Sequence, residues 1–85
     1  MWTFYILLSP TVNKYYIGFT GDTMEERLRK HNSKHKGFTG GAEDWKVVYT
    51  ESYESKAVCR AREIQVKKWK SRRLIGKLIG SVHPD

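Results

Sequence analysis

The chain has 85 residues, with sixteen Lys and Arg against nine Asp and Glu, and a formal net charge of +7. This length supports one small hydrophobic core, so we expect a single domain over residues 1–85. The positive charge favours phosphate polymers or anionic membranes over acidic small molecules as partners, and solubility alone is the plainer alternative. The single cysteine, Cys59, excludes an internal disulfide and fits a reducing cytosol.

The first predicted elements form a hairpin. Residues Trp2 to Leu8 are aromatic and branched, which predicts a strand covered on both faces. This stretch is too short to span a bilayer and lacks the features of a signal peptide, so we expect a cytoplasmic protein without a membrane partner. Turn residues follow, and then a second strand from Lys14 to Phe19. Gly18 in this strand indicates a bulge or a close approach to the backbone.

A helix is predicted next. Thr23 and Glu26 fit a capping box, and Met24 and Leu28 are spaced to face the core, in a helix that runs to about Asn32. Residues 33–44 contain three glycines and no apolar period, which predicts a loop. Its candidate substrate contacts are Lys34, His35, Lys36 and Thr39.

The second half of the chain predicts a strand and two helices. The strand covers Trp45 to Tyr53, and Ser55 or Glu54 caps the long helix that follows. We expect the apolar face of that helix to be carried by Ala57, Val58, Ala61, Ile64 and Trp69, with Glu63 off this stripe, alongside Cys59, Lys67 and Lys70. The last helical segment, 72–79, is expected to lay Leu74, Ile75, Leu78 and Ile79 on the body.

The predicted order is therefore β-β-α-β-α-α. We expect an α+β fold in which a small three-stranded antiparallel sheet is flanked by helices.

Short motifs along this order carry a family resemblance. Tyr16-Ile17-Gly18 is followed by Thr20, and the next helix holds Arg27-Leu28 and His31. The chain resembles the GIY-YIG nuclease domain from Phe4 to about Leu78, above all short standalone bacterial members and the N-terminal nuclease domain of UvrC. The first family motif lies at Thr3-Phe4-Tyr5, of which only the tyrosine is kept.

The resemblance implies a phosphodiesterase site. Tyr5 and Tyr16 would lie side by side, and one would take a proton from the attacking water. Arg27 would bind the scissile phosphate, and His31 would orient or deprotonate a tyrosine or the water. Glu63 would hold one divalent cation, Mg²⁺ or Mn²⁺. A phenol titrates near 10 in water, so a neighbouring cation and histidine are expected to lower that pKa.

The chain departs from the family pattern at two places. Phe19 stands where UvrC-type domains often carry a lysine, and the first motif lacks its glycine. Neither change removes a residue that the resemblance assigns to the chemistry. The plainest alternative for Glu63 is an i, i+4 ion pair with Lys67.

Cations concentrate near the junction of the last two helices. In this position they suit phosphate contacts along a nucleic-acid backbone, or simply a solvated helix end. Trp69 interrupts them and is expected to close the core rather than stack on a base. The predicted nucleic-acid contacts are Lys67, Lys68, Lys70, Arg72, Arg73 and Lys77.

The leading functional hypothesis is an endonuclease that hydrolyses DNA phosphodiester bonds, with a possible part in repair or recombination. Because 85 residues leave little room for base readout, we expect selection of DNA structure, with a mild preference for single strands. The alternatives are a catalytically silent nucleic-acid-binding module and a small protein that binds an acidic protein partner. A zinc site does not fit one cysteine and scattered histidines.

Overall fold

The computed structural model describes residues 1–33 and 42–81. Within these ranges the strands are β1 (Trp2–Ser9), β2 (Lys14–Thr20) and β3 (Lys46–Tyr53). The helices are α1 (Met24–Asn32), α2 (Lys56–Trp69) and α3 (Arg72–Gly80). The predicted order β-β-α-β-α-α and the α+β fold class are confirmed. The predicted loop contacts Lys34, His35, Lys36 and Thr39 lie outside the described residues.

The three strands form one antiparallel sheet in the order β2-β1-β3. β1 is the central strand, and its pairing with β2 sets Tyr5 opposite Gly18. The pairing of β1 with β3 shifts register between Ile6 and Leu7. Since side chains alternate along a strand, β1 sends Phe4 and Ile6 to one face and Tyr5 and Leu7 to the other. All four side chains have no exposed surface, so the expectation of a strand covered on both faces is confirmed.

Each face of the sheet has its own helices. Phe4 and Ile6 pack with Cys59 and Val66 of α2 and with Ile75 of α3. On the opposite face, a cluster around Tyr5 and Leu7 includes Trp45 and Ala42 and receives Met24 and Leu28 of α1. The core is therefore divided by the sheet, and α1 and α2 lie on opposite sides of it.

Local hydrogen bonds explain where the helices begin. The Thr23 hydroxyl accepts from the Glu26 amide at 3.2 Å, as the capping box predicts, while the Glu26 carboxylate pairs with Arg29. Ser55 accepts from the Val58 amide at 3.3 Å and starts α2. The Ser55 hydroxyl satisfies only one of the amides that lack a hydrogen-bond partner at the start of a helix, but it determines where the first turn begins.

The predicted apolar face of α2 is wrong. Most of the predicted stripe lies in solvent, while Trp69 packs on the core as expected. The buried side chains of α2 are Cys59 and Val66. The residues that the structure places outward are Ala57, Val58, Ala61 and Ile64.

The observed rotation of α2 brings together a cross-element ion pair. Arg62 donates from its guanidinium to both carboxylate oxygens of Glu51 on β3, at 2.9 and 3.0 Å. Glu51 also accepts from the hydroxyls of Tyr49 and Tyr53 at 2.5 and 2.6 Å. Facing the opposite stripe inward would bury aliphatic side chains, but it would leave this half-buried carboxylate without its cation.

The last helix is also partly different from its prediction. Ile75 is buried, and Leu78 and Ile79 pack against the core, as expected. Leu74 is instead 37% exposed. The junction before α3 positions the helix, because Arg72 donates to the backbone carbonyl and side-chain oxygen of Asn13, both at 2.7 Å.

Candidate active site

The centre of the candidate site is the Tyr5 side chain, which has no exposed surface. Its hydroxyl lies 2.9 Å from Nε2 of His31. Arg27 donates from Nε to the same hydroxyl at 3.1 Å. Tyr5 thus joins β1 to two residues of α1 that lie four positions apart and share one helix face.

Gly18 is needed for this arrangement. A Cβ at position 18 would lie 2.6 Å from the Tyr5 hydroxyl oxygen and 2.7 Å from Cζ of that ring. These distances are shorter than side chains tolerate, so any larger residue would displace the phenol. The close approach predicted for Gly18 is confirmed, and the group that approaches is the Tyr5 ring.

Tyr16 completes an aromatic cluster around His31. Its ring lies 4.6 Å from the imidazole and 6.4 Å from the ring of Tyr5, centroid to centroid. Trp45 borders Tyr16 from the far side at 6.4 Å. Tyr16 is half-buried, so it is closer to solvent than the fully buried Tyr5.

A polar contact that the sequence did not indicate holds Trp45 in place. The side chain of Asn32 donates to the Trp45 carbonyl at 3.0 Å and accepts from its amide at 2.7 Å. Trp45 lies just before β3, and the Asn32 side chain satisfies the backbone amide and carbonyl of Trp45 in place of a neighbouring strand. Its position directly after His31 is the only sequence signal for it, and that signal is weak.

Burial raises the pKa of Tyr5, and the hydrogen bond and charge of Arg27 offset this rise only in part. The prediction that the pKa of Tyr5 is lowered is therefore wrong. The cost of burying a phenolate here is larger than the stabilisation that the Arg27 cation provides. The hydrogen bond to Tyr5 in turn raises the pKa of Arg27, so its guanidinium stays charged. Tyr5 is accordingly protonated at neutral pH and can donate to an unprotonated Nε2 of His31.

Glu63 belongs to α2, which packs on the opposite side of the sheet from α1, and its described link to Tyr5 is electrostatic. Its negative charge contributes to the raised pKa of Tyr5, so the carboxylate lies within electrostatic range of the phenol. Its side chain is 15% exposed, and Lys67 lies 3.6 Å from one of its oxygens. The i, i+4 pair expected from the sequence is therefore present. Glu63 lies on the flank of the buried face of α2, beside Cys59 and Val66.

Among residues 1–33 and 42–81, no three His, Cys, Asp or Glu side chains gather into a metal-binding cluster. Glu63 is a lone carboxylate, and hydrated Mg²⁺ needs only one or two of these when substrate phosphates supply further ligands. The donor set therefore fits a hard divalent cation bound mainly by water and phosphate. It does not fit zinc, which takes a closed set of nitrogen and sulfur ligands in structural sites.

The remaining predicted residues lie at the surface. Lys67 and Lys68 are in the last turn of α2, and Lys70 follows with a positive φ of 47°. Arg73 and Lys77 project from α3, whereas the Arg72 guanidinium is engaged with Asn13 and lies 4.9 Å from the Tyr15 ring. All six predicted cations, Lys67, Lys68, Lys70, Arg72, Arg73 and Lys77, are exposed.

Position 19 has a packing role. The Phe19 ring lies 6.3 Å from that of Trp2 and is half-buried against the core. A lysine at this position would have to take its charge out of this cluster to reach water. Phe19, which stands where UvrC-type domains often carry a lysine, therefore suits the apolar surroundings of this position.

Comparison with known proteins agrees with the geometry. A family model described as the GIY-YIG catalytic domain matches residues 1–76. The chain belongs to the GIY-YIG family. Its fold is a nuclease-type fold, and members of the GIY-YIG family are typically endonucleases that act on nucleic acid. Searches of curated proteins and of solved structures found no significant match.

No helix within the described ranges is both long and apolar enough to cross a bilayer.

Proposed function

We propose that this GIY-YIG chain is a metal-dependent endonuclease that hydrolyses DNA phosphodiester bonds through Tyr5, Tyr16, Arg27, His31 and Glu63. The observation that carries the proposal is the contact of Tyr5 with both His31 and Arg27, at 2.9 and 3.1 Å. Three residue types that can move a proton and bind a phosphate thus meet in a chain that belongs to a nuclease family.

Arg27 is the phosphate-binding residue in this proposal. Its Nε is used by Tyr5, which fixes the plane of the guanidinium and leaves the terminal nitrogens to face a ligand. A guanidinium presents paired donors that match two phosphate oxygens. Such donors stabilise the charge that develops on the equatorial oxygens during cleavage.

Tyr5 has a positioning role, and Tyr16 meets the attacking water. Tyr5 is fully buried with a raised pKa, so it is poorly suited to accept a proton from a water molecule. Tyr16 is half-buried and contacts the same imidazole, at 4.6 Å between ring centroids. His31 orients Tyr16 and the water while Tyr5 donates to its Nε2. For His31 to receive a proton from Tyr16 or from the water at Nε2, the Tyr5 hydroxyl turns so that it accepts from that nitrogen instead.

Glu63 would hold the divalent cation, Mg²⁺ or Mn²⁺. When bound, such a cation neutralises charge on the phosphate and on the departing oxygen. Lys67, which is 3.6 Å from the carboxylate, would have to move aside or turn toward a phosphate.

The substrate we propose is DNA selected by structure, with single strands preferred, and the biological setting is repair or recombination. The exposed cations from Lys67 to Lys77 supply contacts to the backbone that carry no sequence information.

The test is incubation of the purified chain with supercoiled plasmid and with single-stranded DNA, each with Mg²⁺ or Mn²⁺. We expect cleavage that chelation abolishes. Glu63→Ala should lose cleavage by about 100-fold or more while it still binds DNA. Glu54→Ala, at an exposed acid just before α2, is the matched control and should cleave normally.

Equal cleavage by the wild type and Glu63→Ala would remove that carboxylate from the mechanism. Salt-dependent binding of DNA without cleavage under either metal would support the silent binding module in place of the nuclease.

A further inference from the structure

The rotation of α2 places Lys56 and Arg60, two cations that the proposed mechanism does not use, on the same flank of the helix as Glu63. Lys56, Arg60, Glu63 and Lys67 occupy positions i, i+4, i+7 and i+11, so they lie along one flank of the helix. Lys56 and Arg60 are exposed. Within the described parts of the chain, no carboxylate lies within ion-pair distance of either cation.

A groove opens on this flank. It has a volume of about 550 Å³ and is lined by Lys56, Ala57, Arg60, Ala61 and Ile64. It is an open depression on the helix surface, with a volume in the range of small-ligand sites. Two cations and three aliphatic side chains make a lining that is apolar along one side and positive along the other.

One of the two cations that line the groove is held in place. The Lys56 ammonium lies 5.3 Å from the centre of the half-buried Trp2 ring, and this contact restrains a side chain that would otherwise be mobile. The two alanines leave the helix backbone close to the surface, and Ile64 is 41% exposed at the far end. Ile64 thus adds exposed apolar surface beside the two cations of the groove.

We infer that this groove binds one unpaired nucleotide of the strand that the site cuts. This rests on the proposed nuclease function. The phosphate would lie against Lys56 and Arg60, and the base and sugar against Ala57, Ala61 and Ile64. The groove lies next to the carboxylate proposed to hold the metal, since Arg60 is one helical turn from Glu63, about 4.5 Å along the axis.

The lining favours this occupant over the others that a basic groove can accept. In a duplex the bases are paired and stacked inside, so only the charged backbone could reach the helix and the aliphatic side would stay in water. An unpaired base can turn its face to apolar side chains without regard to sequence. A second copy of the chain is disfavoured, because each copy carries a formal net charge of +7.

The experiment measures binding, without cleavage, in EDTA. A fluorescently labelled single-stranded oligonucleotide and the corresponding duplex are titrated with each variant across a range of salt concentrations, and anisotropy is recorded. Arg60→Gln should weaken binding of both forms about threefold to tenfold and reduce the salt slope by about one. Lys46→Gln, at an exposed lysine on β3, is the charge-matched control and should match the wild type.

The apolar side of the groove has its own variant. Ile64→Ser should weaken binding of the single strand about threefold and leave binding of the duplex unchanged. Val58→Ser is the control, since Val58 is 52% exposed on the same helix but does not line the groove. Glu63→Ala should bind the single strand at least as tightly as the wild type, which separates this test from the test of catalysis.

Three results would overturn the inference. One is an Arg60→Gln protein with wild-type affinity and salt slope. Another is an Ile64→Ser protein that weakens both DNA forms equally or neither. The third is a change of oligomeric state in Ile64→Ser, measured by sedimentation, which would assign the groove to a second copy. If the wild type does not cleave DNA but the variants show the expected binding pattern, the nuclease proposal fails and the nucleotide-binding groove stands.

Discussion

The hydroxyl of Tyr5 and Nε2 of His31 lie 2.9 Å apart, although 26 positions separate the two residues in the chain. This contact joins the central strand of the sheet to the last turn of α1. Arg27 approaches the same hydroxyl from one turn earlier on that helix, at 3.1 Å. The position of α1 on the sheet and the geometry of the site are therefore set by the same phenol.

Replacement of Tyr5 by Phe should reduce cleavage strongly and leave the fold intact. The phenyl ring still fills the same buried space, but His31 and Arg27 both lose their partner. We expect a fall in kcat of about 100-fold, which is typical for one group that positions or moves a proton. Plasmid nicking gives the rate, and circular dichroism checks the fold. A Tyr5→Phe protein with wild-type kcat would remove Tyr5 from the site.

Arg27→Lys tests whether geometry or charge matters at that position. A lysine keeps the positive charge but cannot donate from Nε to Tyr5 while it presents paired donors to a phosphate. We expect kcat to fall at least tenfold while affinity for DNA changes less. Arg29→Lys is the matched control, because Arg29 is exposed on the same helix and pairs only with Glu26 among its described contacts. Equal kcat in both variants would mean that charge alone is sufficient.

Gly18→Ala should impair the site because the new methyl group would lie 2.6 Å from the Tyr5 hydroxyl oxygen. We expect loss of cleavage and a lower melting temperature, since a fully buried ring has little space to move. Gly76→Ala is the control, as its added methyl group meets nothing within 4 Å. That variant should be more stable by up to about 1 kcal/mol, because alanine is the better helix former. A normal rate in Gly18→Ala would contradict the proposed position of Tyr5.

Glu51→Gln should lower the free energy of unfolding by about 2 kcal/mol, because it leaves the Arg62 guanidinium with weakened partners in a half-buried setting. Burial by itself would raise the pKa of Glu51, but hydrogen bonds from Arg62, Tyr49 and Tyr53 outweigh it and hold that pKa low. The matched control is Glu26→Gln, whose exposed pair with Arg29 is screened by water and should cost much less. Urea unfolding at pH 7 compares the two. Equal losses would mean that the Glu51 pair does not fix α2.

Stability should fall in alkaline solution, in part through Tyr53. The hydrogen bond that Tyr53 donates to Glu51, together with burial, raises its pKa from 10.0 to about 12. Between these values the unfolded chain releases a proton that the folded chain keeps, so unfolding becomes more favourable as the pH rises. Below pH 10 this contribution is fully present. Tyr53→Phe removes it, so the difference in unfolding free energy between pH 9 and pH 11.5 should be smaller in that variant. The same pH dependence in both proteins would show that the contribution lies elsewhere.

Much of the fold could be predicted from local signals in the sequence. Aromatic and branched residues predicted the first strand, and turn residues predicted the hairpin. Thr23, and Ser55 or Glu54, marked the starts of α1 and α2, because a side-chain oxygen at an N-cap acts within its own first turn. The position of Gly18 inside a strand predicted a bulge or a close approach to the backbone, and the structure shows the close approach. The family resemblance named Tyr5, Tyr16, Arg27, His31 and Glu63 as site residues, and their catalytic roles stay a prediction.

The rotation of α2 was decided only by tertiary structure. Apolar spacing predicted that Ala57 and Ile64 would face the core, but Cys59 and Val66 do. The Arg62–Glu51 pair joins α2 to β3. The spacing of apolar side chains within α2 contains no information about a carboxylate on another element. The direction of the Tyr5 pKa was missed for the same reason, because complete burial depends on both faces of the sheet.

The sequence by itself therefore determined the elements, their order and the residue types available for chemistry, since these depend on neighbours within a few positions. The tertiary structure decided which helix face is buried, which phenol is desolvated and which cations border Glu63. These properties arise from contacts between residues far apart in the chain, and local spacing contains no measure of such contacts.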